Sequence, residues 1–345
     1  MHYKNKIKNL ISNIAKRSSY AADYITYQIF QSHYSLVGIE INEDSLYLMK
    51  ILKYRKNWVI NTFDKETLPD NVIKLSPLEP NILDMESIIQ VVRNLWSRNS
   101  LTDKNISLLI PDRAVIIFII KLEKITSHKE LNRLIQWKLR KSIPFPIEQA
   151  KISWMPLSFD RNENKLSILV SLIKQEVLMQ YEKIGRCLDA DVGLVDISFF
   201  NLFNYIMMIT SNEEIAASDF LVINYNGSYV SLGLFNDNEL ALYKSRTLLQ
   251  KSADNINEYK NEILKELHPL IMYYFDQLGR KNLQCAYLKA GNDIIKQILQ
   301  EKYGFNVIIP KLYDKLKVSD DVKLDVNELI AHTPLIGLLL GRRMI

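Results

Sequence analysis

At 345 residues the chain exceeds what one hydrophobic core usually supports, so two or more subdomains are expected. Its composition, 48% hydrophobic and 24% charged, excludes an intrinsically disordered chain, and no apolar run approaches the roughly 18 residues of a membrane-spanning helix. The net charge of +5 is modest, and Lys4, Lys6, Lys8, Lys16 and Arg17 stand in an acid-free stretch at the N-terminus, so the basic excess is partly local.

From Ile7 to Ile25 apolar residues recur at helical spacing, which predicts a basic amphipathic helix within an extension spanning 1–34. Such a helix suits an anionic membrane surface, a partner or its own domain equally well. The segment lacks the apolar core and cleavage site of a signal peptide, so a cytoplasmic chain is expected. Tyr20, Tyr24 and Tyr27 beside Lys16 and Arg17 form no single-strand-binding motif, and no nucleic-acid partner is expected.

VGIEINEDSLYLMKI at 37–51 reads as a strand, a polar turn and a second strand, followed by a third strand in WVINTFDKETLP. A helix is predicted at 85–101, then two strands around the Pro111 and Asp112 turn within 104–122. SHKELNRLIQWKLRKSI reads as a helix opened by a capping pair, Ser127 and Glu130, and ended by Pro144. KISWMPLSF and KLSILVSLI pair as strands; a helix, the strand VGLVDIS and the helical FFNLFNYIMMI follow.

TSNEEIAASD at 210–219 is a polar break, and beyond it the order repeats. FLVINYNGSYVSLGLF at 220–235 is a second hairpin, followed by a strand at 239–245 and a long helical region at 255–278. NLQCAYLKAG, NDIIKQILQEKY and FNVIIP read as strand, helix and strand, and PLIGLLLGRRMI as an apolar helix with a basic tip. Two hairpin-plus-helix halves predict a duplicated α/β or α+β architecture. Cys187 and Cys285 read as small buried apolar residues of a reducing compartment. With five scattered histidines they give no metal-ligand spacing, so no metal site is expected.

The order and several phrases resemble the actin-like ATPase superfamily, specifically the type IV pilus assembly protein PilM and its cell-division relative FtsA, over roughly 35–345. RKSIPFPIEQAKISW resembles a PilM segment through Ile143, Pro144, Phe145 and Glu148; LLIPDRAVIIFIIKL, VGLVDISFFNLFN with Asp196, and EILKELHPLIMYYFD fall in the family's order. The resemblance implies an actin-like, ribonuclease H-like fold of two lobes, 35–215 and 216–345. It also implies a small α/β subdomain inserted at about 106–172 and a C-terminal helix, 334–345, returning to the first lobe.

In the family the first phosphate loop carries Asp, then Gly, then Ser or Thr; here the matching residues are Glu40, Asn42, Glu43 and Asp44. In the second loop Asn224 replaces an Asp that helps organise metal-bound water and Asn226 replaces a Gly, while Gly227 and Ser228 remain. The adenosine-side glycine pair is reduced to Ala290 and Gly291. Extra carboxylates oppose phosphate in a low-dielectric cleft. The expectation is a degenerate cleft with no cofactor and no hydrolysis, since no water-positioning carboxylate or Gln is identifiable. The alternatives are a cleft that still takes ATP with Mg²⁺, and simple solvated turns.

By resemblance the chain is a cytoplasmic, membrane-peripheral scaffold of a type IV pilus or related secretion platform. Its expected partners are the N-terminal peptide of a PilN-like membrane protein, other platform proteins, and a further copy of itself; 1–34 offers a membrane contact. An active FtsA-like filament former and the cytoplasmic part of a GspL-like type II secretion protein are the alternatives.

Overall fold

The computed structural model describes residues 35–123, 128–160, 163–210, 219–237, 239–249, 255–289, 291–322 and 326–341. The expected N-terminal helix, Ser127 of the capping pair, most of the polar break, Ala290 and the Arg342 and Arg343 tip lie outside the described residues. In chain order the first half forms β1 (Val37–Ile41), β2 (Ser45–Tyr54), β3 (Asn57–Thr67), α1 (Met85–Arg98), β4 (Asn105–Ile110), β5 (Ile116–Glu123), α2 (His128–Leu139), β6 (Ala150–Asp160), β7 (Lys165–Lys174), α3 (Gln175–Arg186), β8 (Asp191–Ile197) and α4 (Ser198–Ile209). The second half forms β9 (Asp219–Tyr225), β10 (Tyr229–Asn236), β11 (Glu239–Thr247), α5 (Ile256–Met272), β12 (Leu283–Leu288), α6 (Asp293–Tyr303), β13 (Asn306–Ile308), β14 (Leu316–Val318), α7 (Val326–Ala331) and α8 (Thr333–Leu340).

The duplication is explicit in the topology. One sheet runs β14-β3-β2-β1-β4-β8 and the other β11-β10-β9-β12-β13. In each, an antiparallel three-strand meander is followed by two parallel strands added beside the first strand. The central strands β1 and β9 are buried over almost their whole length because helices cover both faces, which explains their near-continuous apolar sequence.

The layers follow from which face each apolar residue takes. Val92 and Leu95 of α1 and Val177 and Tyr181 of α3 pack with Ile39 and Leu108 on one face of the first sheet. On its other face Leu335, Ile336 and Leu339 of α8 and Tyr205 and Met208 of α4 meet Met49, Ile60 and Leu109. The opposite side of α4, Phe199, Leu202 and Ile206, packs on Phe220, Val222 and Phe235 of the second sheet. Helices α5 and α6 cover the remaining face through Tyr259, Ile263, Ile295 and Leu299.

The inserted subdomain is a three-stranded sheet, β5-β7-β6, with α2 on one face. It spans Ile116 to Lys174, so the boundary expected at 106 moves past β4. That strand lies between β1 and β8 in the main sheet, where five of its six residues are buried. A short 3₁₀ turn at Asp112–Ala114, entered through Pro111, redirects the chain from one sheet to the other. Helix α2 ends at Leu139, short of Pro144, because Ile143 and Ile147 turn back into the core beneath it and the residue before a proline avoids helical geometry. The C-terminal part reaches the first lobe: β14 pairs in parallel with β3, Leu316 opposite Trp58, and α8 lies on the first sheet.

Close approach of α8 to α4 rests on Gly337, where an added Cβ would collide with the Asn201 carbonyl. Gly337→Ala is expected to destabilise the fold by about 1–3 kcal/mol, the usual cost of overpacking; chemical denaturation at neutral pH measures it, and an unchanged midpoint would show that the helices have room to separate.

Candidate functional site

The two hairpin turns face one another across the lobes. Each closes alike: the Asn42 N–H donates to the Ser45 carbonyl at 2.9 Å and the Asn226 N–H to the Tyr229 carbonyl at 3.0 Å. The left-handed residue of the second turn is Gly227, φ 68°, not Asn226. The turn geometry therefore survives through the glycine one position later.

Across the gap the turns bond directly. Asn226 Nδ2 donates to Asn42 Oδ1 at 2.7 Å, and the Ser228 hydroxyl donates to Glu43 Oε2. Deeper in, Asn224 Nδ2 donates to Asp112 Oδ2 at 2.8 Å, while Asp112 Oδ1 accepts the Phe199 N–H at 2.8 Å. The Tyr229 hydroxyl lies between, 3.2 Å from Asn226 Nδ2 and 3.4 Å from the Asp112 backbone nitrogen. Lys289, at the end of β12, reaches Asn226 Oδ1 at 3.2 Å and is buried. Glu40, also buried, holds His332 Nδ1 at 2.7 Å, with the Tyr47 ring 3.9 Å from the imidazole.

Of the residues singled out in the sequence, Glu40, Asn42, Glu43, Asn224, Asn226 and Ser228 converge on this seam. Asp44 and Gly291 do not. Asp44 is exposed and accepts the Ser45 hydroxyl. Gly291 is exposed at φ 105° and precedes Asn292, whose side chain caps α6. Glu40, Asn224 and Ser228 are thus no solvated turn residues, and among the described residues no acid, His and Cys cluster is arranged for a metal. Both cysteines are only half buried, and burial pushes their thiols up, that of Cys285 to about 11.

A sequence model of the type IV pilus assembly protein PilM matches residues 38–247, which span both hairpins and the inserted subdomain. The chain belongs to the PilM family. Among solved structures, a PilM–PilN type IV pilus biogenesis complex superposes with a TM-score of 0.70 at 17% identity, covering 90% of this chain and 98% of that one. The cytoplasmic domain of EpsL, an inner-membrane component of the Vibrio cholerae type II secretion system, gives 0.46 at 9% identity, covering 87% and 94%. A Bacteroides thetaiotaomicron protein with an actin-like ATPase fold and unknown function gives 0.44 at 10%, covering 89% and 96%. The actin-like fold expected from the sequence is the fold of this PilM-family chain. No helix among the described residues is long and apolar enough to cross a membrane.

Four seam residues of this PilM-family chain escape the sequence reading: Asp112, Tyr229, Lys289 and His332. Asp112 reads as an ordinary turn residue yet is fully buried, a carboxylate in the cleft where none was identified. Burial pushes it up to about 6 from an ordinary 3.8, although the Phe199 N–H, Ser231, Asn224 and Lys289 all favour its charged form. Burial would also raise Glu40, but His332, Lys289 and Asn42 outweigh it and hold that carboxyl below 4.5. Burial lowers Lys289 against the pull of Glu40 and Asp112.

The sign of each shift sets a pH dependence. For Asp112 the folded value lies above the unfolded one, so its contribution to stability is full below about pH 4 and lost as pH rises through about 6. Asp112→Asn is expected to remove this dependence. Relative to the parent, its unfolding free energy should rise by up to roughly 3 kcal/mol from pH 4 to 7 and then level off. Urea titrations across that range measure it; parallel curves for both proteins would refute the shift. Lys289→Met removes the buried ammonium that favours the charged forms of Glu40 and Asp112 and leaves Asn226 Oδ1 without its donor; it should cost about 1–3 kcal/mol at pH 7, read by the same titrations.

Proposed function

We propose that this chain is a scaffold at the cytoplasmic face of a type IV pilus assembly platform, holding the N-terminal segment of a PilN-like membrane protein, and that it works without hydrolysing ATP. Family membership supports the platform role. The solved PilM–PilN complex, alike in fold, supports the kind of partner. Its place is cytoplasmic and peripheral to the inner membrane, where such a segment emerges. The partner groove is assigned to the region between the first lobe and the inserted subdomain.

The observation that carries the reading of no hydrolysis is the direct bonding of one turn to the other. A triphosphate needs N–H donors and a metal between the loops. Here the facing side-chain oxygens of Asn42, Glu43, Glu40 and Asp112 are acceptors, and Asn226 and Ser228 spend their donors on two of them. The buried Lys289 lies in the field of Glu40 and Asp112 and donates to Asn226. The residues present do not fit a nucleotide with Mg²⁺, since its entry would break these bonds and set phosphate against carboxylate.

Calorimetric titration with Mg·ATP is expected to give no saturable heat, whereas a labelled peptide copying the N-terminus of the PilN-like protein from the same genome should bind and saturate. Micromolar Mg·ATP affinity would overturn the reading of the cleft. Failure of the peptide to bind the folded full chain would overturn the reading of the partner.

A further inference from the structure

Helix α2 presents its back to solvent in an unusual way. Leu131, Ile135 and Leu139 are buried against the inserted sheet. At 3.6 residues per turn each position advances about 100°, so the direction opposite these three falls between Arg133 and Trp137, each about 20° away, with Arg140 about 40° away. Trp137 is 71% exposed, whereas Trp58, Trp96 and Trp154 are 7%, 9% and 8% exposed.

Basic charge is concentrated in this segment of the chain. Between Lys129 and Lys151 stand six lysines and arginines against two acids, Glu130 and Glu148, a net +4 in a chain whose total is +5. All six cations are exposed. One acid is offset where Arg140 Nη2 pairs with Glu148 at 3.0 Å; Arg133, beside the indole, faces outward on the same side.

From this geometry we propose that the outer face of α2 docks on an anionic lipid surface, with Trp137 entering the headgroup layer and Arg133, Arg140 and Lys141 drawn to lipid phosphates. An indole has the apolar body and polar edge that suit a membrane interface. Basic residues near an anionic leaflet add about 1 kcal/mol each. The face is a convex helix back, so it matches a flat bilayer better than a strand of nucleic acid, which needs a groove with several stacking platforms. This surface is distinct from the interlobe seam.

Vesicles of phosphatidylcholine with and without phosphatidylglycerol, mixed with the full chain, test it through co-sedimentation and tryptophan emission. Because the other three tryptophans are buried, a blue shift on adding anionic vesicles is expected and should vanish in Trp137→Phe. The double variant R133E/R140E should weaken partition by at least about tenfold, and high salt should weaken it in the parent. No shift in the parent, whether it sediments through another segment or stays free, would overturn the proposal. So would equal sedimentation of parent and R133E/R140E, or capture by a single-stranded oligonucleotide without capture by vesicles.

Discussion

The architecture depends on a buried polar seam between two halves that are otherwise separate sheets. Glu40 lies within a strand whose other residues are apolar and almost fully enclosed. A carboxylate there is tolerable only if it is paired. Its partner, His332, comes from the junction of α7 and α8 nearly three hundred residues later. The pair therefore fixes where the C-terminal helices return, and with them the packing of α8 on β1 and α4. The last segment of the chain completes the first lobe, not the second.

The same seam shows what duplication leaves behind. The strands β4 and β12 occupy equivalent places, parallel to β1 and β9. Just past their carboxyl ends stand Asp112 and Lys289, of opposite charge and both buried. Carboxyl ends of parallel strands are where open α/β sheets gather ligand-binding groups. In this chain the two ends supply groups of opposite charge that bond to Asn224 and Asn226 of the second hairpin, Asp112 across the lobes and Lys289 within its own.

How much of this was legible follows from the physics of each signal. The two hairpins were readable because apolar alternation on either side of a polar turn is a local pattern, and their repetition at a distance gave the two lobes. The start of the inserted subdomain is not legible because NISLLI and IIFIIKLE are both strongly apolar; nothing local says that one joins β1 while the other crosses to a new sheet. Asp112 looked like a turn residue because Pro-Asp is ordinary turn chemistry, and its burial depends on α4 and β9 closing over it. Lys289 and His332 carried one weak local sign each, a charge directly after AYL and an imidazole directly before an apolar helix. Only the fold brings them to Glu40 and Asp112.

A ligand that holds two lobes together stabilises them in proportion to its concentration relative to its dissociation constant, and releases them when it leaves. Groups built into the chain do neither. With Asn42 joined to Asn226 and Glu43 to Ser228, the two turns are held together by side chains of the chain itself; if the cleft takes no nucleotide, as proposed, its closure is part of folding. For an enzyme that cycles by opening, such closure is a loss. For the proposed scaffold it would be a gain, because the two lobes keep one orientation. Burying the carboxylates of Glu40 and Asp112 costs stability, which a cleft that stays closed, as proposed, would offset.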